Sequence, residues 1–456
     1  MRAAVIYTGI FVLMLMLWTP AGSAQRAVGG CDCIPDQVIV QLLDPATLPA
    51  VAAQYGLDPQ PVSQVATPPI FLLTITNGQT PEQVVAAMTT PAPGDPRVIF
   101  AEVNRKLSQV ERTGLDWTQG RSWAIGRSWA IGGSSKGYSR QWFTQRIRLN
   151  EAFEQGQTRG EGVTVAVLDT GIDLSHPAFS GRLVEPKLRW DFVDNDSDPS
   201  EVGTLRVDPA FGHGTHVAGI VAITAPAAKI MPLRVLDQNG EGELWRITAA
   251  LIWAANNGAE VANLSFGYPD DVRLIKDLVE CADVGTTPNG TTFPIGANRM
   301  AVVAASGNGG NRIPVFPAAE DLNGMLGVGA STRVDLLAAF TSYDRSWVEV
   351  TAPGEDIVSA IPGGRYALWT GTSMAAPIVS GITALVRAKN PQLTIPHDWL
   401  DIVKETSVDK RFGNVPPWGE VRLNRVDALC AVTNTINCPI PSSVTTDFGI
   451  DYKQTK

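Results

Sequence analysis

From about residue 140 to 430 the hydrophobic pattern repeats itself. Short continuous apolar runs such as GVTVAVLD, KIMPLRVL, VANLSF, MAVVAASG and GMLGVGAS carry no polar alternation. Between them lie runs with helical spacing, among them THVAGIVAITA, WRITAALIWAANNG and LIKDLVECA. Strands without a polar side are buried on both faces, and helical connections return the chain in the same direction. The pattern therefore predicts an α/β domain: a parallel sheet covered by helices on both faces. Open sheets of this kind carry their sites outside the carboxyl ends of the strands.

An earlier stretch, 34 to about 108, has a different texture. QVIVQLL alternates as a strand does, PATLPAVAAQYGL has helical spacing, and PIFLLTIT reads as a second strand. TPEQVVAAMTT opens on a Thr-x-x-Gln capping pattern and runs on as a helix, and RVIFAEVN supplies another strand. These elements predict a small α+β unit. Between it and the larger unit, GLDWTQGRSWAIGRSWAIGGSSKGYS holds RSWAIG twice in tandem. Two copies of a hexapeptide make no solenoid; the Gly/Ser content reads as a linker, either a processing segment or a slippage duplication.

The N-terminus adds a compartment. Met1-Arg2 precedes AAVIYTGIFVLMLMLW and then TPAGSAQ, with small residues at Gly22 and Ala24. That is the pattern of a secretory signal cut near Ala24, with an uncleaved N-terminal anchor as the alternative, since the apolar run is just short of a comfortable span. VGGC, ending at Cys31, lies too far beyond the run to serve as a lipoprotein site, and no later segment is long and apolar enough to cross a membrane. The formal charge of −9 and the lack of a basic run argue against a nucleic-acid partner. Of the five cysteines, Cys430 and Cys438 flank a short loop where secretion permits a disulfide, Cys31 and Cys33 are too close for an easy mutual bridge, and Cys281 is expected to be free.

The candidate chemistry sits at strand and helix edges. GVTVAVLDTGID ends a buried strand in Asp169, with Asp173 competing on spacing alone. AFGHGTHVAGI places His213 at a helix start and His216 one turn on. A zinc pair would want further ligands, and His176 and His397 have no such setting. In WTGTSMAAPIVSGITALVRA, Ser373 opens a helix of small residues, and Pro377 lacks the N–H that would bond the Ser373 carbonyl. A serine there is ordinarily a cap.

Taken together, VAVLDTGID, GHGTHVAG and GTSMAAP resemble, in order, the three signature motifs of the subtilisin-like serine proteases, the subtilases. The resemblance covers the key points of the large unit and implies a subtilisin-like parallel sheet preceded by a ferredoxin-like α+β prodomain. It implies Ser373 as nucleophile, His213 as base and acid, and Asp169 as the carboxylate that orients the imidazole; His216 is left structural. The oxyanion donors would be the Ser373 backbone N–H and the side chain of Asn308, in MAVVAASGNGG. The implied division is a signal peptide at 1–24, an inhibitory prodomain at 25–108, a linker and processing region at 109–139, a peptidase domain at 140–433 and a tail at 434–456.

The same resemblance extends to binding. NLSFGYP, with Ser265, Phe266 and Gly267, resembles the edge on which substrate backbone adds as a strand, and LDQNGEGELW, with Gly240 and Gly242, would form the facing side. The pocket floor near Ala305 and Gly307 carries no charge, which implies apolar or aromatic side chains next to the cut. DFVDNDSDPS holds Asp191, Asp194, Asp196 and Asp198, oxygen donors at alternate positions that suit Ca2+ and resemble a calcium loop of the thermitase branch; a solvated acidic turn is the other reading. The insertion that carries another common subtilisin calcium site is missing, and no cofactor is expected for catalysis. The expectation is a secreted, monomeric serine endopeptidase acting on polypeptides, with its own prosegment as intramolecular inhibitor and no membrane partner once mature. A catalytically silent subtilase-like binding module and an esterase using the same triad are the competing readings.

Overall fold

The run GVTVAVLD forms a strand over Thr164–Asp169, inside a sheet of nine. The structure, a computed structural model, describes residues 32–90, 94–109, 130–131, 134–287, 293, 299–415 and 419–436. Across the sheet the order is Val408–Val415, Gly419–Arg425, Val350–Pro353, Met325–Ser331, Ala301–Ala305, Val261–Leu264, Thr164–Asp169, Lys229–Arg234 and Trp190–Asp191. Every neighbouring pair is parallel except the first, which is antiparallel.

Side chains of the central strands alternate between two cores. Val165 and Val167 pack with Val217, Ile220, Met374 and Ile378 on one face; Ala166 and Leu168 pack with Leu251 and Leu278 on the other. Each face is thus dry, which is why the strand sequences read as unbroken apolar runs. The helix Thr372–Lys389 is buried at every position from Thr372 to Val386, so its small and apolar residues extend all the way round it. It crosses the helix His213–Thr224 so closely that a Cβ on Gly381 would meet Thr224 at 2.5 Å.

The N-terminal unit has strands Cys33–Leu42, Ser63–Val65, Ile70–Thr74 and Val98–Gln109, paired antiparallel in the order fourth, first, third, second. Helices Leu48–Tyr55 and Pro81–Thr89 bury Val51, Val84 and Met88 against Val38, Val40 and Leu73. That is the ferredoxin-like βαββαβ arrangement. The Thr80–Gln83 capping box predicted for the second helix is present in both directions.

The stretch read as a linker, 109–139, holds ordered pieces at its far end. Ala130–Ile131, from the second RSWAIG copy, pairs with the strand Arg365–Trp369, and a helix spans Ser135–Ser139. Tyr138 is buried and donates its hydroxyl to the Gly219 carbonyl at 2.6 Å. The first RSWAIG copy, the segment 1–24 read as a secretory signal and the tail beyond 436 lie outside the described residues. Cys281 is free and buried. Cys33 and Cys430 each take part in a disulfide, and Cys31 and Cys438 lie outside the described residues. Among those residues no helix is long and apolar enough to cross a membrane.

Candidate active site

Asp169 is the last residue of its strand and lies at the carboxyl edge of the sheet, 1% exposed. His213 begins the helix His213–Thr224 and donates from Nδ1 to Asp169 Oδ1 at 2.6 Å. This bond fixes the tautomer and leaves Nε2 as the ring's proton acceptor. The flanking glycines are steric requirements. Gly212 has φ +93°, and a Cβ on Gly214 would meet the Gly171 carbonyl oxygen at 2.2 Å. Backbone approach this close is what lets the helix start abut the strand end.

His216 is fully buried, stacks on Trp369 with centroids 4.3 Å apart, and bonds the Ala367 carbonyl through Nε2 at 3.3 Å. Burial holds its pKa well below the ordinary value, with the neighbouring His213 acting in the same direction. His176 donates from Nε2 to the Arg365 carbonyl at 2.9 Å, and His397 donates from Nδ1 to Asp283 at 2.7 Å. His176 and His397 thus lie in settings apart from the helix that carries His213 and His216. Asp173 turns away from the pair: its carboxylate accepts from Ser175 and from the Gly363 N–H.

Ser373 is the second residue of its helix. Its Oγ donates to the Ser265 carbonyl at 3.0 Å, while Ser265 Oγ donates to the Ser373 carbonyl at 3.1 Å. Behind Ser265 the chain of bonds continues: Asn263 Nδ2 donates to Ser265 Oγ, and Ser380 Oγ donates to Asn263 Oδ1, each at 2.9 Å. Asn308 lies beside this helix start. Its Oδ1 accepts from the Thr372 N–H at 2.9 Å and from Thr372 Oγ1 at 3.1 Å, which directs the amide's NH2 end away from Thr372. Thr372 Oγ1 in turn accepts from the Gly307 N–H at 3.1 Å. Thr372 is a positioning residue that motif reading passed over, although it stands inside the quoted GTSMAAP.

The groove is already occupied by this chain's own N-terminal unit. The strand Val98–Gln109 runs out of its sheet and adds antiparallel to two segments of the large unit. Lys106, Leu107 and Ser108 pair with Glu243, Gly242 and Glu241; Ser108 and Gln109 pair with Gly267 and Phe266. Gly242 and Phe266–Gly267 thus flank one and the same strand of the N-terminal unit, with Ser265 just before the second segment. Gly240 does not join the edge: it closes the turn begun at Asp237, with φ +77°, and the paired segment is Glu241–Glu243. Ala305 ends the strand beneath, and Gly307 follows it with φ +99°. Leu107 is 2% exposed and shares an apolar cluster with Leu236, Leu244 and Phe266.

Two side chains of the same strand cap helices of the large unit. Glu102 accepts from the Arg273 and Leu274 N–H groups at 2.8 and 3.2 Å, at the start of the helix Arg273–Val284. Asn104 Oδ1 accepts from the Trp245 N–H at 3.1 Å, at the start of Leu244–Asn256. A carboxylate and an amide oxygen satisfy otherwise orphaned donors there. No local sequence signal marks them, because the partners lie 171 and 141 residues away.

The four aspartates expected to bind calcium do not converge. Asp191 and Asp194 direct Oδ2 at the same Arg234 Nη1, at 2.6 and 2.5 Å, and Asp191 Oδ1 accepts from the Val193 and Asp194 N–H groups. Asp196 and Asp198 cap their own turn, accepting from the Asp198 and Ser200 N–H groups. Arg234 thus pairs with two of the four, and among the described residues no group of three or more His, Cys, Asp or Glu side chains is placed to hold a metal ion.

Fold and site together are of the class in which a parallel α/β sheet presents a buried aspartate–histidine pair alongside a helix-borne serine. Residues 160–418, more than half of the chain, match the Subtilase family, and the chain belongs to that family. It is 40% identical over 244 residues to the Thermophilic serine proteinase of Bacillus sp. (strain AK1), a match spanning 51% of this chain and 54% of that one. To thermitase of Thermoactinomyces vulgaris it is 33% identical over 302 residues, 64% of this chain and 96% of thermitase. Among solved structures, fervidolysin from Fervidobacterium pennivorans, a keratinolytic enzyme related to subtilisin, aligns with TM-score 0.64 at 22% identity. That likeness of fold covers 90% of this chain and 62% of fervidolysin. The chain thus spans about half the length of the Bacillus proteinase.

Proposed function

We propose that the chain is a secreted serine endopeptidase made as a zymogen. Ser373 is the nucleophile, His213 accepts its proton through Nε2 and passes it to the leaving amine, and Asp169 orients the imidazole and stabilises it while charged. The Ser373 N–H and Asn308 Nδ2 bind the developing oxyanion. Peptide substrate adds as a strand between Glu241–Glu243 and Phe266–Gly267, and the uncharged floor at Ala305 and Gly307 favours apolar or aromatic side chains next to the cut. Buried Leu107 supports an apolar preference a few residues upstream.

One observation carries the reading: an extended segment of the chain's own N-terminal unit pairs with both sides of that groove. Strand addition is how a peptide is presented to a serine at the groove's end. The helix caps from Glu102 and Asn104 support the N-terminal unit as an inhibitory prosegment docked on the domain it serves. The pairing supports self-cleavage after this strand, within the 109–139 region. The N-terminal apolar run supports export.

The test is Ser373→Ala. The variant accumulates as an unprocessed precursor, whereas the parent is trimmed and hydrolyses casein. Normal trimming of the variant would assign the cut to another protease, and a trimmed parent inert toward casein would remove the endopeptidase reading.

A further inference from the structure

We propose that Glu201 is a positioning residue for the Asp169–His213 pair, a second carboxylate that clamps the end of the aspartate strand to the start of the histidine helix. The proposal rests on the proteolytic reading above for its kinetic test, but its geometry stands independently. Glu201 Oε1 accepts from Thr170 Oγ1; Oε2 accepts from Thr215 Oγ1 at 2.6 Å and from the Thr215 N–H at 3.2 Å. The Gly212 N–H bonds the same carboxylate. Thr170 directly follows Asp169, and Thr215 lies two residues after His213 on the same helix start. Thr170 gives its own N–H to Asp169 Oδ1 at 2.8 Å, and its Oγ1 accepts the Gly214 N–H at 2.9 Å. One carboxylate thereby reaches both members of a 2.6 Å pair whose residues are 44 positions apart in the chain.

The loop that delivers Glu201 is itself tied to the strand end. The Ile172 N–H donates to the Pro199 carbonyl at 3.0 Å, and the Glu201 N–H donates to the Ile172 carbonyl at 3.3 Å. Part of the residue reaches the surface, while its carboxylate is enclosed by the four donors.

That enclosure has an acid–base consequence. Burial pushes the Glu201 carboxyl up to about 7, with the nearby Asp169 charge adding to the rise and the bonds from Thr170, Thr215 and Gly212 opposing it. The ionisable groups on the elements packed around it are Asp169 at the end of the strand and Asp173 beyond it, His213 and His216 on the helix, and Asp198, Arg206 and Asp208 on its own loop. Ionised, the carboxylate accepts all four bonds. Protonated, one oxygen becomes a donor facing donors, and the clamp loosens.

The experiment compares the parent, Glu201→Gln and Glu201→Asp, each counted by fluorophosphonate titration, in peptide hydrolysis between pH 5 and 9. Glu201→Gln lowers kcat per titrated site about 10- to 100-fold, since small misplacements of reacting groups cost that much, with KM within about twofold. The acid limb of the parent's kcat is steeper than one proton and becomes a one-proton limb in Glu201→Gln, and Glu201→Asp recovers part of the loss. Should Glu201→Gln fail to fold, Thr170→Val breaks the same clamp and shows the same loss of kcat. Unchanged kcat per titrated site with an unchanged acid limb, even alongside a lower melting temperature, overturns the proposal. A parent that titrates but hydrolyses no peptide overturns the proteolytic reading instead.

Discussion

Ser265 and Ser373 hold each other by two reciprocal bonds, each hydroxyl donating to the other residue's carbonyl, at 3.0 and 3.1 Å. The second bond answers a vacancy the sequence creates. In an α-helix the Ser373 carbonyl would accept from the N–H four residues on, but that residue is Pro377. The hydroxyl of Ser265 supplies the missing donor, so the Ser373 backbone is held by a neighbouring segment rather than along its own helix.

This relationship predicts the outcome of a double-mutant cycle. Ser265→Ala leaves a buried carbonyl without its donor and lowers kcat/KM about 5- to 10-fold, the worth of about 1 to 1.4 kcal/mol. In a Pro377→Ala background, where the helix can supply an N–H, the same substitution costs less. Equal losses in both backgrounds, measured on titrated enzyme, would separate Ser265 from the helix defect.

Asn308→Ala removes the side chain proposed to bind the oxyanion while Thr372 stays in place. The expected result is a fall in kcat of about 10²–10³-fold, the usual cost of one such donor and itself a subtilisin magnitude, with KM little changed. Steady-state kinetics on a peptide amide checks it.

His216 predicts a pH dependence of stability. Its folded pKa is held below the unfolded value of 6.5, so the folded protein resists its protonation and the unfolded chain does not. Its contribution is present above about 6.5 and is lost as pH falls below it, by about 1.4 kcal/mol per pH unit. His216→Phe keeps a ring against Trp369 and flattens that acid slope. Denaturant melts at pH 7 and 5.5 compare the two, and parallel slopes would assign the acid loss to other groups.

The Arg234 pair predicts what the acidic loop does. Arg234 and Asp191 are each 2% exposed at the side chain, and removal of the cation strands a buried carboxylate. Arg234→Ala lowers unfolding free energy by about 3–5 kcal/mol. Asp196→Ala leaves the calcium dependence of the melting temperature superimposable on that of the parent. A loss of calcium response in Asp196→Ala would restore the metal reading.

These contrasts show what the sequence carried. The Asp169–His213 pair and the placement of Ser373 at a helix start were legible because each residue stands in a short motif whose glycines and small residues are sterically dictated, as Gly214 against Gly171 illustrates. The sheet was legible because two buried faces leave no polar alternation. The pairing of Asp191 and Asp194 with Arg234 was not legible, because the spacing of four aspartates says nothing of an arginine some forty residues on. Glu201, Glu102 and Asn104 were invisible for the same reason: each acts on partners that only the fold brings near.

The most direct measurement is active-site labelling by a fluorophosphonate followed by peptide mapping, on the mature protein and on its His213→Ala variant. The account predicts one labelled residue, Ser373, and labelling slowed by orders of magnitude when the imidazole is gone. Labelling at another residue, or an equal rate without His213, would contradict it.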